Sequence, residues 1–436
     1  MARPRTGARA PLNVFMNGKH VGQLRRDTSG AIDFRYDASW LDWESAMPVS
    51  CSLPLREERY VGAPVVAVFE NLLPDDESMR RRVAERSGAA GTDPYSLLTA
   101  IGRDCVGALQ FIPDGDGIMP SGGVEGHRIS DAEIGALLKD LGRSPLGITD
   151  DDSFRISLAG AQEKTALLRW KGRWYRPKGT TPTTHILKPQ IGLLENGIDL
   201  SKSVENEHLC LELIRAFGLP TAKSEIVDFD GKRTLVVERF DRLWTKDKRL
   251  LRVPQEDCCQ ALSVPPSLKY ESQGGPGIAA ISELLKGSDT PRDDQIRFFK
   301  AQVIFWLIGA TDGHAKNFSI RLSPGGRFVL APLYDVLSTQ PNLDAGQIQR
   351  NRMKLSMAVG NTRHYVLHTI APRHFVETAK ASKLPVRAET ILDEVADAAG
   401  AAMDKVLSAL PKHFPQKMAN SIRQGALLRR DLLVRQ

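Results

Sequence analysis

No stretch of this 436-residue chain approaches the ~18–20 uninterrupted apolar residues needed to span a membrane. The most apolar segment, Val303 to Ala310, is too short and lies between Lys300 and Asp312. The basic N-terminus, MARPRTGARAPLNVF, lacks the apolar run of a secretory signal. These absences lead to the expectation of a cytoplasmic protein with no membrane partner. Cysteine is scarce: Cys51, Cys105, Cys210, Cys258 and Cys259 form an odd, scattered set with no C-x-x-C pair. That speaks against a disulfide framework or a zinc site and for reduced structural thiols.

Several familiar motifs are also missing. There is no G-x-x-x-x-G-K-[ST] loop and no G-x-S-x-G serine, Ser153 and Ser157 included. Gly275 to Ala280 fits G-x-G-x-x-A formally, but no βαβ pattern surrounds it, so a tight turn is expected. His364 and His368 stand four apart without the glutamate of H-E-x-x-H, which leaves structural or surface histidines. No internal repeat and no low-complexity tract occurs.

What is present is an ordinary globular composition, 42% apolar and 25% charged, with a formal net charge of +7. The modest basic excess is compatible with a nucleotide, nucleic acid or an acidic partner. Residues 12–36 read as short strands separated by Asn17-Gly18 and Ser29-Gly30 turns. A helical stretch is expected from Val65 to Glu85, then a strand in IGRDCVGALQFIP and a polar loop over 114–126. From Phe154 the pattern is strand-rich (TALLRW, RWYRP, THILKP, SEIVDF, TLVVERF), with one helix from Ser203 to Phe217. Beyond Asp257 it is predominantly helical apart from FSIRL and RFVL. The expected units are therefore 1–145 (mixed β/α), 146–256 (strand-rich, nucleotide-binding) and 257–436 (helical). The expected class is α+β with two lobes and an N-terminal appendage.

The segment LIGATDGHAKNFSI carries the clearest chemistry. Asp312 and Asn317 are spaced D-x-x-x-x-N after an apolar helix, the arrangement of a phosphotransfer catalytic loop. A carboxylate must accept the proton of the attacking hydroxyl, and a neutral amide oxygen nearby can hold a metal without opposing that base. Asp335, after the apolar strand RFVL, can supply the second metal ligand. Lys188 ends the strand THILK, where an ammonium can reach the α and β phosphates. The helix after it offers a carboxylate to hold that lysine: Glu207, on one face with Leu211 and Ile214, or else Glu205. The small-residue loop 157–168, with Gly160 and Lys164, lies where a phosphate-covering loop belongs. The segment VVERFDR stands where the chain crosses between lobes and can offer backbone groups to adenine.

At this point the residues resemble the HipA family of toxin kinases. The likeness runs through VFMNGKHVGQL, ENLLPD, IGRDCVGA, FRISLAGAQEKTALL, GTTPTTHILK, VERFDR, QEDCCQ, KYESQGGPGI, ATDGHAKNFS and PRHF, nearly the whole chain. The resemblance implies a two-lobed protein-kinase-like fold with a β-rich N-terminal HipA subdomain and a helical C-terminal lobe. It implies a serine/threonine protein kinase using ATP and Mg²⁺, which phosphorylates a serine of an aminoacyl-tRNA synthetase, glutamyl-tRNA synthetase in the best-known case. Translation arrest and dormancy would follow. By motif, Asp312 is the base and Asn317 and Asp335 hold Mg²⁺. Lys188 and the loop Ala159, Gly160, Ala161, Gln162, Glu163 and Lys164 hold phosphates. Glu238, Arg239 and Phe240 meet adenine, and His314, Ala315, Lys316, Asn317 and Tyr334 complete the ATP site.

The resemblance also makes Ser157 an autophosphorylation site that shuts the enzyme off, since a phosphate there would repel those of ATP. It implies a helix-turn-helix antitoxin, HipB, and a corepressor complex on operator DNA, with Lys380 and Lys383 as candidate DNA contacts. Two other readings stand beside it: a small-molecule kinase of the same fold, and a non-catalytic DNA-bound corepressor.

Overall fold

The computed structural model describes residues 10–116, 122–148 and 154–434. The basic stretch at the N-terminus, Ser153, and part of the loop read at 114–126 lie outside the described residues. The first sheet is antiparallel and grows from the Asn17-Gly18 turn, where both residues have positive φ and suit a tight hairpin. Strands Leu12–Met16, Lys19–Arg26 and Ile32–Tyr36 pair in turn, the first two with a register shift between Val14 and Phe15, and Leu109–Pro113 lies beside the first. Leu12, Val14 and Met16 alternate inward and pack with Phe34, Phe69 and Phe111. The helix expected over Val65 to Glu85 is two helices, Ala63–Glu70 and Glu77–Ser87. Pro74 cannot donate within a helix, and Asp76 instead caps the second one by accepting from Met79 N–H at 2.7 Å.

A second, six-stranded sheet is ordered Ser224–Phe229, Lys232–Glu238, His185–Pro189, Thr165–Trp170, Arg173–Pro177 and Gly126–Arg128. Its last member lies before the boundary expected at 145. Gly126–Arg128 pairs with Arg173–Pro177, and the helix Asp131–Lys139 buries Ile134 and Leu138 against Leu167, Leu187 and Phe229. Residues 126–141 thus pack with the second sheet, whereas Leu146 and Ile148 join the core of the first. The helix Ser203–Ala216 lies under this sheet and joins Leu209, Leu213 and Ile214 to the large core of the third unit.

That core is built around the helix Pro291–Ile308. Pro291 opens it, Asp293 and Asp294 complement its N-terminal dipole, and Gly309 ends it at φ 70°. From Phe298 to Ile308 most residues are buried, so the helix is wrapped on all sides and rigid. The hairpin Ser319–Ser323/Arg327–Leu330 pairs with Gln255–Asp257. A small ladder of Lys354–Val359 with His364–Val366 escaped the sequence reading. His364 stacks on His374 at 3.8 Å rather than pairing with His368. Gly277 caps the helix Ile278–Leu285, with no strand before it.

One buried charge cluster ties the first unit to the second. The Asp104 carboxylate accepts from Arg242 and Arg252 at 2.9 and 3.0 Å and from Thr183 Oγ1 at 2.7 Å. Arg239 lies 3.4 Å away and is shared with Asp241. Burial would raise the Asp104 carboxyl, but Arg242, Arg252 and Arg239 hold it well below the usual range. All five cysteines are free thiols, and Cys51 alone is only partly buried. No helix among the described residues is long and apolar enough to cross a membrane.

Candidate active site

Leu187 points into the apolar layer, so strand alternation sends Lys188 to the opposite face, over the cleft. There its ammonium lies 2.8 Å from Glu207 Oε1 and 2.6 Å from Asp335 Oδ1. Glu205, the alternative partner, is engaged elsewhere: it accepts from Arg233 and, at 2.7 Å, from Gln190. Burial opposes the Lys188 charge, yet Asp335 and Glu207 hold its pKa above the ordinary lysine value. Asp335 is correspondingly held far below the carboxylate range by Lys188 and Lys164, against the effect of burial. Its backbone is left-handed, φ 58°, a conformation a non-glycine residue adopts at some cost and that turns the carboxylate back into the cleft.

Asp312 stands three residues after Gly309, at the mouth of the cleft. Its backbone carbonyl accepts from His314 N–H at 2.9 Å and from the Asn317 amide nitrogen at 2.7 Å. The Asn317 amide also reaches the Asp335 carbonyl at 3.5 Å, so the two residues expected to hold metal lie side by side. With its nitrogen so committed, the Asn317 amide keeps its oxygen for a cation, and Asp335 adds a carboxylate. This pair of oxygen donors fits a magnesium ion, which takes one or two protein oxygens together with phosphates and water. Asp312 is exposed toward the cleft, but the protein crowding its carboxyl raises it to about 6.

The loop 157–164 closes one side of the cleft. Gly160 has φ 100°, a backbone conformation that favours glycine, and a Cβ there would meet Lys164 Nζ at 2.6 Å and push it aside. Lys164 is buried with no ion pair among the described residues, and desolvation together with Lys188 lowers it to about 8. Gln162 donates to the Pro189 carbonyl at 3.3 Å, and Glu163 lies 3.7 Å from Arg82. Ala159 is half-buried and Ala161 exposed. Ser157 has no exposed surface and donates to the Leu72 carbonyl at 2.7 Å.

Opposite, Phe240 and Tyr334 pack in a tilted contact, ring centroids 5.7 Å apart, beside the crossing segment. Glu238 is exposed, with its N–H on the Lys223 carbonyl. Arg239 and Lys316 do not turn their side chains to this cleft. The Arg239 guanidinium is locked on Asp241 and Asp104, and Lys316 binds Asn71 Oδ1 at 2.7 Å and Asp257 at 3.0 Å. Only their backbones can border a nucleotide. Ala315 and His314 are buried, and burial lowers His314 to about 4.

Sequence reasoning assigned no role to three residues here. Tyr270 donates to Asp312 Oδ1 at 2.9 Å, and Lys269 pairs with Asp75 at 2.7 Å. Asp75 comes from the first unit, and its N–H reaches the Gly160 carbonyl at 3.4 Å. The adjacency of KYESQ and ENLLPD to the site is a matter of folding, which spacing along the chain does not record. Lys380 and Lys383 are exposed but not on one helical face. The helix ends at Ala381, and Lys383 has φ 52°.

Residues 156–403 match the family model described as HipA-like C-terminal domain, and residues 12–112 match the HipA N-terminal domain. Y4mE of Sinorhizobium fredii, named provisionally as a kinase, is 37% identical over 353 residues, covering 80% of this chain and 82% of that one. The serine/threonine-protein kinase toxin HipA of Shewanella oneidensis is 28% identical over 362 residues, covering 80% of this chain and 78% of that one. A solved complex of Shewanella oneidensis HipA, HipB and operator DNA contains a chain that superposes with TM-score 0.79. It is 24% identical, covers 96% of each chain, and therefore supports the fold.

Proposed function

The chain belongs to the HipA family, and from that premise we propose that it is an ATP-dependent serine/threonine protein kinase acting as the toxin of a toxin–antitoxin pair. The observation that carries this reading is the Lys188 ammonium held between Glu207 at 2.8 Å and Asp335 at 2.6 Å. A buried lysine fixed between two carboxylates from separate elements is the phosphate-anchoring arrangement of protein kinases. Phe240 and Tyr334 border adenine, and Lys164, Lys188 and the backbone around Gly160 take the phosphates. Asn317 and Asp335 hold Mg²⁺, which when bound neutralises charge on the phosphates.

Asp312 accepts the proton of the acceptor hydroxyl as that oxygen bonds to the γ-phosphorus. The bond from the γ-phosphorus to the β–γ bridging oxygen breaks, and ADP leaves with the electron pair. The acceptor is a serine of an aminoacyl-tRNA synthetase, glutamyl-tRNA synthetase by family resemblance, so translation stops. Self-phosphorylation of Ser157 switches the enzyme off. A HipB-type antitoxin restrains it, and the pair represses on operator DNA.

The test is to incubate the purified chain with labelled ATP and Mg²⁺, alone and with a panel of aminoacyl-tRNA synthetases. Label on a synthetase and on Ser157 is expected. Transfer only to small hydroxyl compounds would favour a small-molecule kinase, and no transfer at all a corepressor without catalysis.

A further inference from the structure

The geometry points to Tyr270 as the residue that sets the Asp312 carboxylate for proton acceptance, through the hydrogen bond from its phenol to Oδ1 at 2.9 Å. This rests on the kinase reading and adds a positioning residue that the catalytic-loop motif does not contain. A carboxylate on a loop can rotate about χ1 and χ2, and a base must present one oxygen to the incoming hydroxyl. The bond from Tyr270 occupies Oδ1. Oδ2 has no hydrogen-bond partner among the described residues, and on an exposed residue it is left for the acceptor.

Tyr270 is itself held from three sides. Its ring meets His314 edge-on at 5.0 Å. The residue before it, Lys269, is tied to Asp75 at 2.7 Å. The residue after it, Glu271, accepts from Ala358 N–H at 2.5 Å and lies 3.3 Å from Arg363. The Tyr270 carbonyl also accepts from Gln273 and Gly275 N–H, both at 3.0 Å, closing the turn. A residue pinned on both flanks and at its ring has little freedom to move its phenol, so the oxygen it binds is fixed as well. Because Asp75 belongs to the first unit, the setting of the base depends on that unit being docked.

The experiment compares the wild-type chain with Tyr270→Phe in single-turnover self-phosphorylation with labelled ATP. The ATP concentration is varied, and the labelled peptides are mapped. Loss of the positioning bond lowers the maximal rate by about tenfold or more, the scale of a misplaced catalytic group, while the ATP concentration at half-maximal rate is unchanged. A melting temperature and ATP binding equal to wild type accompany that result. An unchanged or raised maximal rate overturns the inference, the raised rate meaning that the phenol blocks the acceptor's place. Weakened ATP binding also overturns it, since the role would then be structural, and so does label on Tyr270 itself in the wild type. Asp312→Asn is run alongside: if it labels as fast as wild type, the kinase assignment of the base fails, independently of Tyr270.

Discussion

The Ser157 hydroxyl donates to the backbone carbonyl of Leu72 at 2.7 Å and has no solvent exposure. A seryl oxygen in that position cannot attack a phosphate bound in the cleft while the bond persists. Its phosphorylation therefore requires the loop 157–164 to leave its seat on Leu72 to Asp75. Amide exchange at residues 72–75 and 157–164 is expected to rise on labelling, and Ser157→Ala is expected to show neither label nor rise. Unchanged protection after labelling would show that the phosphate is accommodated in place.

Glu207 and Glu205 separate cleanly by consequence. Glu207→Gln removes one anchor of Lys188 and is expected to lower the rate of phosphotransfer by about 10–100-fold, on the scale of a displaced catalytic group. Glu205→Gln weakens the Arg233 contact and is expected to cost about 1–3 kcal/mol of stability with the rate largely kept. Initial rates and melting curves of the two variants check the assignment, and equal rate losses would contradict it.

A stability effect of pH is expected from Glu256. One oxygen accepts from Cys51 N–H at 2.8 Å, the other has no hydrogen-bond partner among the described residues, and burial raises the carboxyl from 4.5 to about 7. Below pH ~4.5 both folded and unfolded forms are protonated, and no penalty arises. Between ~4.5 and ~7 the unfolded chain sheds its proton first, so stability declines as pH rises, by up to about 3 kcal/mol, and then levels off. Denaturant melts at pH 5 and pH 8 check this. Glu256→Gln should lose that portion of the slope, and an unaltered slope would remove Glu256 from the account.

The surface lysines allow a cruder test. If Lys380 and Lys383 both meet DNA phosphates, replacing both by Ala should reduce the log–log salt slope of operator binding by the antitoxin complex by about 1.8. Their positions on either side of a helix end allow each to contribute without the other, so the single variants are informative. An unaltered slope would take both off the DNA surface.

Much of the site was legible because its residues sit at fixed offsets on regular elements. Asp312 and Asn317 share one loop, Lys188 ends a strand, and Glu207 lies on the inward face of a helix, where periodicity predicts it. What the sequence hid were contacts between units. Nothing in the spacing of residues joins Tyr270 to Asp312, or Asp75 to Lys269, since each pair meets only after the chain has folded back on itself. Arg239 and Lys316 illustrate the converse. They lie within the right segments, yet the first unit supplies Asp104 and Asn71, which draw their side chains away from the cleft. The pairing of Gly126–Arg128 with the second sheet was hidden for a related reason. The strand Gly126–Arg128 is three residues long and wholly exposed, so it carries no alternation to read.

The cluster at Asp104 has a consequence for how such a protein can be taken apart. Three guanidiniums of the second unit, Arg239, Arg242 and Arg252, share one carboxylate that belongs to the first. A two-lobed fragment starting near Gly126 would leave Arg252 without its carboxylate and Arg239 and Arg242 with Asp241 alone, at about 3–5 kcal/mol for the lost partner. The kinase portion is then not a cassette that recombination can detach and graft elsewhere. An exchange of appendages between relatives would succeed only where the incoming piece brings its own acid to the same three arginines, so the two parts are bound to change together.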